Sequence, residues 1–415
     1  MISFTHTDLV LLLIAIGVIL IFSRLVSELG RRFKLPAVIG EILLGILLGP
    51  SILGKIFPGF TSALFPRIGA EQIAFEGLTS ISVIMLLFVA GLEVQIATVL
   101  KQGKVALYTS VSSMFIPFLF GVGAVYLFPA WFNFKPQDRL VYMLFFGTAM
   151  AISALPVVTR ILMDLNLFKT KVGNLIVTAA IFDDLTGWLV FSLILSLLNK
   201  GSDASNVWST IGLILLFGLF MLVIGKRIID RTLPWIQKKM AWPGGVLSLC
   251  LGFCFLAAAF TEKIGLHAIL GAFIMGVAFG DSVHFSEKAR EIIHQFVTNI
   301  FAPLFFVSIG LRVDFVNNFD WVLVTVVLSI AIICKVMGAS LGARLGGLSW
   351  RESFAIGFGL NARGAMGILL GTLALNEGLI DQKMFVAVVI MALVTSIISG
   401  PMMNYLVNDK GEKEG

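Results

Sequence analysis

Charged side chains are scarce in this sequence: 13% of its 415 residues are Asp, Glu, Lys or Arg, against 58% hydrophobic. A soluble chain of that length needs far more polar surface, so a large soluble helical protein is excluded. Cysteine is scarcer still, with three residues. Cys250 and Cys254 stand one helical turn apart and could grip a soft metal, but no third ligand lies nearby in sequence. Together with Cys334 they read as small buried side chains. The N-terminus lacks a basic stretch ahead of its first apolar run and a small-residue cleavage site before Arg31. That excludes a removed signal peptide and leaves a retained helix.

What fills the chain instead is a succession of apolar runs. A bilayer core takes about 20 apolar residues per helix. Thirteen runs qualify: 8–28, 36–54, 78–99, 104–128, 139–163, 172–198, 207–226, 244–261, 265–281, 294–312, 320–345, 352–375 and 382–407. The expectation is an all-α membrane protein of about 13 transmembrane helices. Basic residues stay on the cytoplasmic side, and they concentrate in the odd-numbered connections: Arg31, Arg32, Lys34, Lys101, Lys104, Lys169, Lys171, Lys226, Arg227, Arg231, Lys238, Lys239, Lys288, Arg290, Arg344 and Arg351. The even-numbered connections carry less than half as many. This places the N-terminus outside and the Lys410–Lys413 tail in the cytoplasm. The net charge of +6 is thus a product of topology; it suits a lipid bilayer with anionic headgroups and does not call for nucleic acid.

Residues 35–51, LPAVIGEILLGILLGPS, align without a gap on residues 266–282, LHAILGAFIMGVAFGDS. Gly40, Gly45 and Gly49 meet Gly271, Gly276 and Gly280, a shift of 231 residues and seven runs. GLEV at Gly91–Val94 meets GLRV at Gly310–Val313, and Phe146–Gly147 meets Phe358–Gly359, each again seven runs apart. An odd shift inverts the second copy. The expected layout is a first repeat over 1–200, a linking helix and cytoplasmic loop over 201–243, and a second, inverted repeat over 244–415. Inverted repeats of this kind place the substrate at mid-membrane between broken helices. The fifth run reads GTAMAISALPVVTRIL, in which Pro156 removes the helical partner of the Ile152 carbonyl beside Thr148 and Ser153. The twelfth reads GFGLNARGAMGILLG, in which Gly357, Gly359, Gly364 and Gly367 weaken the helix around Asn361 and Arg363. These two runs are the expected broken helices.

Charge inside the runs marks the site. Asp183 and Asp184 fall midway along the sixth run, where a carboxylate costs about 2.5–3.5 kcal/mol on insertion scales. Adjacent residues point about 100° apart on a helix, so one carboxylate can line a cavity while the other meets a fixed countercharge. Lys335 in the eleventh run and Arg363 at the twelfth are the candidates for that countercharge: a buried lysine titrates and suits proton-linked work, whereas arginine stays charged and suits a clamp. Two close carboxylates in a partly dry place hold a proton or a metal ion, not both, and that competition is the minimal device for antiport. Hard oxygen ligands select alkali or alkaline-earth ions, and two carboxylates with one lysine leave too little negative charge for a tight divalent site. A monovalent cation at Asp184 and Asp183 is expected, with no cofactor and no enzymatic role. Glu41, Glu93 and Arg312 are candidate supporting charges, better read as helix-end or interfacial ion pairs. His267 reads as an interfacial residue.

The stretches PAVIGEILLGILLGPSILG, LLFVAGLEV, AMAISALPVVTRIL, AAIFDDLTGW, APLFFVSIGL and GLNARGAMG cover nearly the whole chain in order. They resemble the monovalent cation:proton antiporter-2 superfamily, and within it the bacterial two-aspartate Na+/H+ antiporters. The resemblance implies a core carrying crossed broken helices that moves as an elevator against a dimerisation domain, a homodimer with the first and eighth runs at the interface, and a bacterial inner membrane location. It implies further that Asp184 is the cation- and proton-binding carboxylate, that Asp183 pairs with the membrane lysine, and that Lys335 is that lysine. It also implies more than one proton per cation. Asp183 stands where K+ efflux systems carry glutamine, and the sequence stops soon after the last run, with no soluble nucleotide-binding regulatory domain expected. The ISALPVVTRIL stretch is closer to plant exchangers, some of them associated with K+, so Na+ is favoured with K+ and Li+ open. A cation channel needs no titratable pair. An intramembrane aspartyl protease needs two carboxylates converging from different helices, whereas Asp183 and Asp184 share one and Asp281 stands at a membrane boundary.

Overall fold

The computed structural model describes residues 5–32, 37–66, 69–93, 103–134, 138–165, 167, 170–200 and 204–408. Lys34, Pro36, Val94, Lys101, Lys169 and the tail at 410–413 lie outside them. Among the described residues every regular element is helical. The principal helices are α1 (His6–Arg32), α2 (Ala37–Leu48), α3 (Ala70–Leu92), α4 (Gly103–Leu127), α5 (Arg139–Ala151), α6 (Leu155–Asp164), α7 (Lys171–Lys200) and α8 (Ala204–Phe220). They continue with α9 (Lys226–Lys239), α10 (Gly244–Lys263), α11 (Ala268–Gly280), α12 (Glu287–Phe296), α13 (Ala302–Arg312), α14 (Trp321–Leu345), α15 (Trp350–Leu360), α16 (Gly364–Asn376) and α17 (Gln382–Asn408). Wider turns at Met221–Gly225 and Val297–Phe301 join α8 to α9 and α12 to α13.

Ten helices among the described residues are long and apolar enough to cross a membrane. Three of the thirteen apolar runs have no such helix. The ninth is the 13-residue α11, and the fifth and twelfth are interrupted, as α5–α6 and α15–α16. The third helix begins at Ala70, earlier than its apolar run, because the polar turn at Glu71, Gln72 and Glu76 is helical too.

The chain divides into two compact units, and each draws on both halves of the sequence. Unit 1 comprises Met1–Phe33, Gly40–Ile96 and Ala204–Val313; unit 2 comprises Lys34–Ile39, Ala97–Asp203 and Asp314–Gly415. The expected repeats are divisions of the sequence, and the compact units cut across them.

Unit 1 is held by glycine contacts between helices. A Cβ added to Gly45 of α2 would lie 2.8 Å from the Cα of Gly310 in α13, and one added to Gly91 of α3 would lie 3.0 Å from the Cα of Gly276 in α11. Backbones approach this closely only where side chains are absent. The sequence alignment maps Gly45 onto Gly276 and Gly91 onto Gly310, so it exchanges the two contacts, the relation an internal two-fold would impose. Ile19, Leu44, Leu304 and Val307 form a buried apolar cluster among α1, α2 and α13.

In unit 2, α14 packs along α4 through Gly338 and Gly342. A Cβ on Gly338 would meet the Ser112 carbonyl at 2.8 Å, and one on Gly342 would meet the Tyr108 carbonyl carbon at the same distance. This contact sets one face of α4 against α14 and leaves the next, bearing Ser113, for α7.

Candidate cation and proton site

Two helix breaks face each other in unit 2. In the first, α5 ends at Ala151, Ile152 is extended, and α6 begins at Leu155. Pro156 thereby stands in the first turn of α6, where a missing N–H leaves no intrahelical acceptor unsatisfied. In the second, α15 ends at Leu360 and α16 begins at Gly364, whose φ of 38° is left-handed. A Cβ there would come within 2.5 Å of Val157 Cγ2, so glycine is required both by conformation and by space. The Gly364 N–H donates to Ser396 Oγ at 3.0 Å. The Ala154 N–H donates to the Ala362 carbonyl at 2.9 Å, which ties one break to the other.

The carbonyls at the end of α5 have no helical partners and carry the negative end of its dipole. Two cations satisfy them. Arg363 donates from Nη1 to the carbonyls of Ala149 at 2.8 Å and Met150 at 2.6 Å, and from Nη2 to Ala331 at 2.6 Å. Lys335 Nζ donates to the Ala151 carbonyl. Neither side chain has any exposed surface.

Lys335 also meets Asp183 Oδ2 at 2.5 Å, with both side chains fully buried. Asp183 has two further neighbours. Ser153 Oγ lies 2.8 Å from its Oδ2 and 2.7 Å from the Leu360 carbonyl. Ser113 Oγ lies 2.9 Å from its Oδ1 and 3.0 Å from the Ser110 carbonyl. Each hydroxyl has one hydrogen to share between two acceptors, so Lys335 is the constant donor to Asp183. Gly187, one turn beyond Asp183, lets the first break close on α7: a Cβ there would lie 2.6 Å from Ile152 Cγ1. Asp184 is buried beside this pair, at 1% exposure, and acts electrostatically on Lys335.

The structure thus bonds Asp183 to Ser153 and Lys335 among the sequence-derived residues, and sets Arg363 on the neighbouring carbonyls at the end of α5. Asn361 and Thr148 are fully buried at the breaks without joining these bonds: Thr148 donates to Leu144 of its own helix at 2.7 Å, and neither amide atom of Asn361 has a hydrogen-bond partner. Ser113 was missed. Its signal is the run Thr109, Ser110, Ser112, Ser113 inside an otherwise apolar helix.

The remaining charges belong to unit 1. Arg312 pairs with Glu76 at 3.3 Å, and Glu93 stands 3.4 Å from His294, all partly exposed, in keeping with ion pairs at helix ends. Glu41 departs from that expectation: it is 5% exposed, and its Oε2 has no hydrogen-bond partner. The apolar packing of α2 encloses it. His267 is the N-cap of α11, accepting from the Ile269 N–H at 3.4 Å. Cys250, Cys254 and Cys334 are all buried.

Residues 12–408, almost the whole chain, match the family described as sodium/hydrogen exchanger, transmembrane. The chain belongs to that family. This exchanger-family chain is 32% identical to the Na(+)/H(+) antiporter NhaS4 of Synechocystis, with 95% of the chain and 97% of the relative covered. It is 31% identical to the K(+)/H(+) antiporter 1 of Saccharomyces cerevisiae, with 98% of the chain covered but 47% of the relative, so it spans about half of that protein's length. It is 27% identical to the Na(+)/H(+)-K(+) antiporter GerN of Bacillus cereus, covering 95% of it. Its fold matches the sodium proton antiporter MjNhaP1 of Methanocaldococcus jannaschii with a TM-score of 0.68 at 18% identity, over 96% of this chain and 98% of that one. The family is one of multi-pass membrane cation/proton antiporters, transporters and not enzymes.

Proposed function

We propose that this chain exchanges a monovalent cation, Na+ in the first place, for protons by alternating access. The observation that carries the reading is the fully buried Asp183–Lys335 pair at 2.5 Å, set beside Asp184 where two helix breaks are tied together. Asp184 takes the cation or a proton in turn, and Asn361 and Thr148 are oxygen donors within the same crossing. Arg363 clamps the end of α5.

The charges determine the coupling. With all four side chains ionised, Asp183, Asp184, Lys335 and Arg363 sum to zero. When a cation binds Asp184, the surplus positive charge is removed if Lys335 gives up its proton. In the opposite state Asp184 and Lys335 are both protonated and the group carries one positive charge. One cation therefore exchanges for two protons and one net charge crosses, so the exchange is electrogenic. Two compact units, each drawn from both halves of the chain, support an elevator in which unit 2 carries the site. By resemblance, the assembly is a homodimer in a bacterial inner membrane, with its N-terminus outside and its C-terminus cytoplasmic.

The test is proton-coupled flux in proteoliposomes with Na+, Li+ and K+ offered separately, for the wild type and Asp184→Asn. The amide keeps the shape but holds neither proton nor charge, so exchange should vanish while the protein still folds. Cation-dependent proton release that persists in Asp184→Asn refutes the assignment. K+ is the second reading, supported by the likeness to the yeast K(+)/H(+) antiporter across 98% of the chain; flux driven by K+ and not by Na+ selects it.

A further inference from the structure

Two buried carboxylates among the described residues lie outside the ion site, Glu71 in the first turn of α3 and Glu41. Glu41 lies in α2 within unit 1, 5% exposed, with no hydrogen-bond partner at Oε2. The helix geometry says which way it faces. Leu43 and Leu47, exposed at 42% and 46%, mark the outward stripe of α2. Two residues turn a helix by about 200°, so Glu41 lies opposite Leu43. Gly45, one turn on from Glu41, is where α2 touches Gly310 of α13, and Gly40 is where it touches Val26 of α1. Leu44 belongs to the apolar cluster with Ile19, Leu304 and Val307. Glu41 is thus set into the packed side of α2.

The charged side chains described on the elements around it are engaged elsewhere. On α1, Arg24 pairs with Glu28 at 2.8 Å, and Asp8 accepts from Thr5. On α13, Arg312 pairs with Glu76. The polar side chains there include Ser23, buried, Ser27, half-buried, and Ser308, whose hydroxyl is given to the Phe305 carbonyl at 2.7 Å. With Oε2 buried and unbonded and no described cation beside it, an ionised carboxylate in this place would lose hydration that nothing described replaces, so the form that fits is the neutral acid.

We propose that Glu41 is a resident proton-binding site, a carboxylic acid that keeps its proton through the exchange cycle and reacts in that form with an apolar carbodiimide small enough to enter the seam. In the reaction the acid proton passes to one carbodiimide nitrogen while the carboxylate oxygen bonds to the central carbon and one C=N double bond becomes single. The acyl group then migrates from oxygen to nitrogen and leaves a stable N-acylurea. No atom is lost and no oxidant is needed. A carboxylate held ionised by a partner lacks the proton that starts the addition.

The experiment treats the purified full chain with dicyclohexylcarbodiimide near neutral pH and maps the adduct by mass spectrometry. The expected result is an N-acylurea on the Glu41 peptide, absent from Glu41→Gln and indifferent to added Na+, in contrast to any adduct on Asp184. In the infrared, Glu41→Gln should lose one protonated-carboxyl C=O band. Its melting midpoint should stay within about 2 °C of the wild type, because the amide replaces a neutral acid of the same shape. A Glu41 peptide that stays unlabelled, or a Glu41→Gln spectrum that keeps every protonated-carboxyl band, overturns the proposal. If Glu41→Gln does not accumulate, Glu41→Asp carries the test: the band should shift and the adduct remain.

Discussion

Replacing Lys335 by Gln removes the cation of a pair that has no exposed surface on either side, while leaving an amide able to donate to the Ala151 carbonyl. Stranding one partner of a buried pair costs about 3–5 kcal/mol. Asp183 can limit that loss by taking up a proton. Protonating a carboxylate of ordinary solution affinity costs about 4 kcal/mol at pH 7, and about 1.4 kcal/mol less for each unit the pH is lowered. The penalty is therefore capped near 4 kcal/mol at pH 7 and falls to about 1.5 kcal/mol at pH 5. The sign follows from the lost partner: the mutant's native state binds a proton that the wild type's does not, so it gains stability relative to wild type as pH falls. At about 2 °C per kcal/mol for a large chain, Lys335→Gln should melt roughly 8 °C below wild type at pH 7 and roughly 3 °C below it at pH 5. Asp183→Asn combined with Lys335→Gln leaves two neutral amides, and should recover most of the deficit and lose its pH dependence. The assay heats aliquots of detergent-solubilised protein and measures the surviving monodisperse fraction by size-exclusion chromatography. If Lys335→Gln shows the same deficit at both pH values, or the double mutant is no better than the single, the pair is not held by charge.

Transport current on a solid-supported membrane under a fixed Na+ gradient should be present in the wild type and lost or strongly reduced in Lys335→Gln; exchange without current in the wild type refutes the two-proton coupling. Ser113→Ala removes a hydroxyl 2.9 Å from Asp183, a hydrogen bond to a charged group worth about 1.5–3 kcal/mol when unshared. Since the Ser110 carbonyl competes for its hydrogen, a drop of about 2–4 °C in melting midpoint with slower exchange is expected, and wild-type behaviour in both would show that Lys335 alone orients Asp183. For the proposed homodimer, cysteines introduced on α1 should cross-link between protomers and those on α5 should not; efficient α5 cross-links throughout transport refute an interface that spares the moving unit.

The breaks were legible in the sequence because proline and glycine act on the backbone directly. Pro156 and Gly364 announce where a helix cannot continue, whatever surrounds it. The pairing of Asp183 with Lys335 was legible through scarcity, since few charges inside apolar runs leave few ways to neutralise them. Ser113 could not be singled out from its run of hydroxyls, because a hydroxyl in a helix can always bond to its own backbone, as Ser82 and Thr178 do here. What distinguishes Ser113 is the α4–α14 contact, which turns it toward α7. Glu41 failed for the opposite reason. Its acidity suggested a partner, and periodicity placed it on a helix, but neither says that its Oε2 is left without a hydrogen bond in the seam it enters.

The hydrogen bond from Ala154 to Ala362 also bears on how the protein is made. Asp183 waits for a lysine 152 residues later in the chain, and the Ala149 carbonyl for an arginine 214 residues later. During synthesis, then, the first half of the chain enters the bilayer with a bare carboxylate and an uncapped helix end, and the second half completes both. Insertion of α14–α16 is the step that seals the site. A chain interrupted before Trp321 lacks the groups that neutralise its own interior charge.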